Sequence, residues 1–266
     1  MKIWYQSLTR AHAWPAYNQA LRAVLDQVRN PDTEIEVHGI EQRGGIGDQY
    51  RYLEFIEAQE VLANVERATR EGFDAFLIGN IGDPGLREAR EITPMPVLGL
   101  CETSSHLACM LGANFALVTG NTKHAPRILE NVHKYGLAGR LAGVRAMSVD
   151  RLVDLDHGFS NPEAGRALVD QFLEQARTHA GDGAEVVIPA IGVLMVLLAT
   201  HGVYEVAPGI PVLNGVKTLV KMGETAVALR RSMGGVWTSR AAMYAAPPPG
   251  QMDELRASYG DVYPAF

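Results

Sequence analysis

The chain has 266 residues, 47% hydrophobic and 20% charged, with a formal net charge of -6. This is ordinary globular composition, enough for one large α/β domain or two compact lobes, and it excludes disorder as the default. The acidic balance supplies no basic surface for nucleic acid or an anionic membrane, and no stretch approaches the roughly 18 uninterrupted apolar residues of a membrane helix. The N-terminus MKIWYQSLT lacks the apolar core of a signal peptide. Cys101 and Cys109 are too far apart along one strand end and its following helix for a comfortable disulfide. Reduced thiols and a cytoplasmic location are therefore expected.

In chain order, Lys2 to Tyr5 reads as a first strand ending at Gln6-Ser7, Ala16 to Val28 as a helix, and Thr33 to His38 as a second strand. The glycine-rich Gly44 to Asp48 segment is expected to be a loop near a cleft mouth, since it lacks the Lys-Ser/Thr ending of a phosphate loop. A helix over Leu53 to Arg70 leads to an apolar strand, and Asp83 and Pro84 then read as the N-cap and first position of the next helix. Pro96 to Leu100 is predicted as a strand ending in Cys101-Glu102-Thr103-Ser104, with helix from Ser105 to Leu111. Phe115 to Val118 is a strand, Ile128 to Tyr135 a helix, Val144 to Val149 strand-like and Glu163 to His179 a long amphipathic helix. The proline-rich tail from Ala245 is expected to be irregular and to wrap over the body or a neighbouring subunit.

One pattern occurs twice. Phe73 to Gly82 reads FDAFLIGNIG and Ala184 to Gly192 reads AEVVIPAIG, so Asn80 and Ala190 occupy matched positions. After each copy come a helical stretch and a second apolar segment opened by proline, Pro96-Val97-Leu98-Gly99 and Pro211-Val212-Leu213-Asn214. Short apolar runs alternating with helices read as buried parallel strands of βαβ units. The expected fold class is therefore α/β, with two pseudo-symmetric lobes of parallel sheet flanked by helices and a ligand cleft between them. The lobes are drawn as residues 1-99 with 210-266, and 100-209. Ligands in such sheets sit beyond the carboxyl ends of the strands, which places Asn80, Ile81, Gly82, Ala190, Ile191 and Gly192 at the cleft.

The segments GNIGDPGLREAREITPMPVLGLCETS, LVTGN, KYGLAGRLAGVRAM, VVIPAIGV and PVLNGV together resemble the aspartate/glutamate/hydantoin racemase superfamily, most closely its hydantoin and allantoin racemase branch. The resemblance runs from about Lys2 to about Leu229 and implies two pseudo-symmetric lobes, a small substrate between them and no cofactor. It also implies a cysteine at the end of each repeat strand, one removing a proton next to a carbonyl and the other returning it to the opposite face. Here those positions match Asn80 and Ala190. An amide and a methyl group have no proton to exchange near neutral pH, whereas a thiol does.

The remaining candidates are as follows. Amides at Ile81-Gly82 and Ile191-Gly192 would open helices and face a carboxylate or enolate oxygen, with Asn80 as a further donor. By the resemblance, Thr119, Asn121 and Thr122 match pocket hydroxyls and Gln6-Ser7 a substrate-holding segment. Glu102 and Lys217 stand at comparable strand ends, Cys101 is a relocated thiol, and His157 lies in a loop beside Asp156 and Ser160. No pair of histidines has the spacing of a zinc site, so no metal is expected. The expected function is a cofactor-free isomerase, lyase or decarboxylase, or ring-amide hydrolase, acting on a small carboxylate or cyclic amide through an enolate-like or tetrahedral oxyanion. Two alternatives stand beside it: a racemase using Cys101 and Glu102, and a non-catalytic binder of small anions. Neither nucleic acid nor membrane is an expected partner, and the aromatic tail suggests a homo-oligomer.

Overall fold

The computed structural model describes residues 1-47 and 50-263, so Asp48 of the predicted glycine loop lies outside the described residues. The elements run β1 (Lys2–Gln6), α1 (Pro15–Val28), β2 (Glu34–His38), α2 (Arg51–Arg70), β3 (Ala75–Ile78), α3 (Leu86–Ile92), β4 (Val97–Gly99), α4 (Leu100–Leu111), β5 (Phe115–Thr119) and α5 (Ala125–Lys134). They continue with β6 (Leu141–Ala146), α6 (His157–Ser160), α7 (Pro162–Gly181), β7 (Val187–Pro189), α8 (Gly192–Thr200), β8 (Glu205–Ala207), β9 (Ile210–Pro211), α9 (Gly215–Ser232) and α10 (Pro249–Tyr259). One sheet is four-stranded and parallel in the order β2-β1-β3-β4; a second is three-stranded and parallel in the order β6-β5-β7. The α/β class with helix-flanked parallel sheets is thus what the apolar runs predicted.

Alternation along β1 shows why the first sheet is covered on both faces. Ile3 and Tyr5 join the cluster formed with Tyr17, Leu21 and Val24 of α1 and Leu219 of α9, whereas Trp4 joins Val61 and Val65 of α2 and Leu86 of α3. The first cluster runs on without a break into the second sheet, through Leu117, Ile188 and Phe172. Helix α8 joins the lobes. Val193 to Leu198 are all buried, as expected of a helix that is apolar on every side.

Several predicted boundaries shift. Helix begins at Leu100, so Cys101-Glu102-Thr103-Ser104 form its first turn rather than a strand end. The cause is Asp83, which caps no helix of its own. With φ at +48° its carboxylate accepts the amides of Cys101 (2.9 Å) and Glu102 (2.8 Å) at the start of α4, and α3 starts only at Leu86, after a left-handed Gly85. The predicted strand at Pro211 is reduced to β9, antiparallel to β8, and a single parallel bridge from Val212 to Val187. His157 lies in the short helix α6 rather than in a loop. The tail is not irregular throughout, because Pro249 stands in the first turn of α10, where a missing N-H costs nothing. The tail returns to the body at Tyr263, whose hydroxyl donates to Glu91; Arg240, ahead of the tail, donates to the carbonyls of Arg90 and Glu91.

Candidate functional site

The carboxyl ends of β3 and β7 converge. A Cβ on Gly192 would stand 3.1 Å from the Gly79 carbonyl oxygen, so the two repeat ends abut. Gly79 in turn leaves no room beside β1, since a Cβ there would fall 2.4 Å from the buried Tyr5 ring. Replacing Gly79 by alanine is expected to cost about 1–3 kcal/mol by overpacking, read as a lowered urea midpoint at unchanged slope. A midpoint equal to that of the wild type would show that the ring yields freely.

Beyond these ends lies a cavity of about 70 Å³. Asn80, Ile81 and Gly82 form one wall, and Ile191, Gly192 and Val193 face them. Ser7, Thr9, Trp14 and Tyr17 contribute from the start of the first lobe, with Ser7 and Thr9 hydroxyls 2.8 Å apart. Glu54 and Glu57 enter from α2, and His124 and Arg127 from the region of α5. Gly47 also borders the cavity, and the segment before it is anchored at Gly45, whose carbonyl accepts the Trp14 indole N-H (2.9 Å) and whose amide donates to Glu57 (2.7 Å).

The polar groups of the two repeat ends differ in how they are engaged. Asn80 Oδ1 accepts the Gly82 amide at 2.7 Å, so this amide is turned inward on its own loop and opens no helix. The Asn80 Nδ2 group makes no hydrogen bond among the described residues and remains a donor on the cavity wall. At the other end, Gly192 does open α8, which has no side-chain cap. The first-turn amides of Gly192, Val193 and Leu194 therefore lack acceptors among the described residues. Ala190 is fully buried, its amide donating to the Val118 carbonyl, and Ile191 rather than Ala190 meets the cavity.

The one cation among the described wall residues is paired internally. Arg127 Nε pairs with Glu54 at 3.0 Å, Nη1 donates to Asn131 Oδ1 at 2.8 Å and Nη2 to the Gly82 carbonyl at 2.7 Å. The guanidinium thus ties α2, α5 and the Asn80 loop together across the cleft. His124 is held neutral: burial, with Arg127 nearby, pushes its imidazole down to about 4.

Other predicted positions lie off the cavity. Gln6 is buried, accepting from the Trp4 indole (3.1 Å) and Asn64 (2.9 Å) and donating to the Ser7 carbonyl; only Ser7 of that pair meets the cavity. The Thr119 hydroxyl is turned to the Asn121 carbonyl at 3.1 Å. Asn121 and Thr122 border a separate hollow of about 480 Å³, which shares Gly47 and Leu152 with the cavity. Lys217 donates to the Tyr204 hydroxyl (3.0 Å), and His157 is exposed. Cys101 is buried with Ser105 Oγ 4.0 Å from its sulfur, and burial, with Asp83 nearby, pushes its thiol well up. Glu102 forms a two-point ion pair with Arg90. The structure therefore gathers Ser7, Asn80, Ile81, Gly82, Ile191 and Gly192 at one place and leaves Cys101, Glu102, Lys217 and His157 elsewhere.

Four wall residues, Glu54, Glu57, His124 and Arg127, were not anticipated from sequence. The available signal was the i, i+3 spacing within each pair, which puts both members on one side of the chain's helical path. Charged residues at that spacing usually mark a solvated helix face, so the signal is weak.

Two α/β lobes with a small polar cavity at the paired ends of their repeat strands define a racemase-type scaffold. The Asp/Glu/Hydantoin racemase family model matches residues 15–223, and the chain belongs to this family. It is 34% identical over 202 residues to a hydantoin racemase of Pseudomonas sp. (strain NS671), spanning 74% of this chain and 73% of that one. It is 32% identical over 195 residues to the hydantoin racemase of Paenarthrobacter aurescens, spanning 72% and 75%. Among solved structures it is similar to the allantoin racemase from Klebsiella pneumoniae, with a TM-score of 0.78, 27% identity, and coverage of 93% and 94%. No helix among the described residues is long and apolar enough to cross a membrane.

Proposed function

We propose that this chain is a cofactor-independent enzyme acting at a carbonyl group of a small, uncharged cyclic amide. It holds the developing oxyanion and moves protons from one side only, so its products arise by isomerisation or ring opening rather than by inversion. The observation that carries this reading is the meeting, at one cavity with no cysteine among its described wall residues, of the free Asn80 amide and the uncapped start of α8. Preorganised neutral donors of this kind stabilise charge that appears only in the transition state.

The balance of charge selects the substrate. Among the described wall residues the one cation, Arg127, is already taken by Glu54, and Glu57 adds a second carboxylate. A dicarboxylate would enter without a free counter-charge, whereas a ring amide needs only donors and acceptors. The relatives named above are racemases of hydantoin and of allantoin, and both compounds are five-membered ring amides. The reading does not run through Cys101, whose thiol is buried and protonated, or Glu102, whose charge is committed to Arg90.

Proton NMR of the protein in deuterated water with hydantoins, cyclic imides, malonates, maleate and amino acids tests this. Product is expected from the ring amides and not from the dicarboxylates. Asn80→Asp keeps an acceptor for the Gly82 amide but removes the donor, and is expected to slow turnover about 100-fold. Turnover of malonate with the imides inert would overturn the reading. A non-catalytic binder is the second reading, favoured by the low basicity of His124; it predicts thermal stabilisation by ring amides with no product.

A further inference from the structure

Six described side chains carry a buried polar atom with no partner, and of these only His124 lines the cavity. The residue is 5% exposed, its Nδ1 is fully buried without a partner, and neither ring nitrogen makes a hydrogen bond among the described residues. Its position is fixed from the backbone, where its amide donates to Asn121 Oδ1 at 3.1 Å just ahead of α5. An unpaired polar group in a protein interior is a liability that folding alone gives no reason to keep. Two other uncharged, unpaired groups line the same cavity, the Asn80 amide and the first turn of the nine-residue α8.

We propose that His124 is a specificity-determining residue of this cleft, its imidazole hydrogen-bonding the ring amide group of a bound ligand through Nε2, the unpartnered ring nitrogen that keeps accessible surface. The assignment rests on the reading of the cleft as a ring-amide site. The charged groups sharing the wall with the imidazole are Arg127, on the helix that follows it, and Glu54 and Glu57 of α2; the Tyr17 phenol of α1 is the other titratable group there. Burial disfavours an imidazolium first, Arg127 opposes it further, and the Glu54 carboxylate is paired with Arg127. The ring therefore stays neutral, and Nε2 can accept from a ring N-H or donate to a ring carbonyl according to its tautomer, one such bond per amide. A carboxylate ligand offers acceptors only and would draw a proton onto the ring.

Calorimetric titration with succinimide, with malonate as the anionic control, separates the possibilities. Succinimide affinity is expected to be flat from pH 5.5 to 8, without proton uptake. His124→Ala is expected to weaken it about tenfold, while His124→Gln, which keeps a donor and an acceptor, stays within about threefold. A second readout needs no ligand. His124→Leu is expected to raise the melting temperature of the free protein by about 2 °C or more while abolishing succinimide binding, because it removes an unpaired buried polar group. A histidine kept for packing gives the opposite sign. The assignment is overturned if His124→Ala binds succinimide within twofold of wild type, if His124→Leu melts lower, or if malonate binds more tightly than succinimide and increasingly so as pH falls. Ring-amide turnover with unchanged binding in His124→Ala removes this assignment alone; histidine-dependent binding without turnover removes the enzymatic reading alone.

Discussion

Replacing Arg127 with alanine is expected to destabilise the protein by about 2–4 kcal/mol. The guanidinium is 18% exposed and its partner Glu54 19%, so the pair is mostly out of water. Removing one member leaves a part-buried carboxylate uncompensated, strips Asn131 Oδ1 of the donor that Arg127 supplies at 2.8 Å, and leaves the Gly82 carbonyl with only its bond from Asn131 Nδ2 (2.9 Å). The loss falls on the loop that carries Asn80, so ligand binding should weaken together with stability. Removing both charges, as in Arg127→Met with Glu54→Leu, is expected to recover most of the stability and none of the loop's order, since an ion pair of this kind is often no more stabilising than apolar packing. Urea denaturation of the two single variants and the double variant measures this. A loss below about 0.5 kcal/mol for Arg127→Ala would class the pair with ordinary surface ion pairs.

The second large effect is expected at Asp83. Asp83 is buried and its carboxylate has no ion-pair partner among the described residues; it accepts two amides at the start of α4 and the Tyr135 hydroxyl at 2.6 Å. Gly99 is matched to it, since a Cβ there would lie 2.5 Å from the carboxyl carbon. Deleting the carboxylate with alanine leaves three buried donors unpaired and puts a β-carbon without its hydrogen bonds in the left-handed region, at an expected cost of about 3 kcal/mol. Titration carries a definite sign. Burial pushes the Asp83 carboxyl up from 3.8 to about 7, the three donors opposing it. The folded state therefore holds this proton more tightly than the unfolded chain. The contribution is complete below about pH 4 and is lost as pH rises through about 7, a change on the order of 4 kcal/mol at most. Wild type is expected to lose stability from pH 5 to 8, and Asp83→Asn to flatten that slope. An unchanged slope in the variant would place the titration in some other group.

The parts of the fold that depend on local burial were legible in the sequence. β3 and β7 are enclosed on both faces, so they read as continuous apolar runs, and the helix after β7 is apolar throughout because it is buried throughout. What failed was decided by residues distant in sequence. Glu102 reads as a strand-end carboxylate until Asp83, nineteen positions earlier, starts the helix at Leu100 and Arg90 takes the side chain. Gln6 reads as a strand-end polar group until Trp4 and Asn64 claim it. At the site, Asn80 to Gly82 and Ile191 to Gly192 were placed by the repeat, but the wall opposite them was not. Glu54 and Arg127 are 73 positions apart, and each alone resembles a charge on a solvated helix. For His124 the i, i+3 spacing to Arg127 is only a weak signal, and its distinguishing property, the lack of a partner, is displayed only by the packed structure.

The central claim is that a cleft whose matched repeat positions are Asn80 and Ala190 works on a ring amide without exchanging mirror images. It is tested most directly by incubating one enantiomer of a 5-substituted hydantoin with the protein in deuterated water, following optical rotation and the proton spectrum together. New ring or ring-opened resonances, with the remaining substrate keeping its configuration, are the predicted result. Rotation decaying to zero with deuterium appearing at carbon 5 and no new compound would contradict it and show that inversion survives without the two thiols.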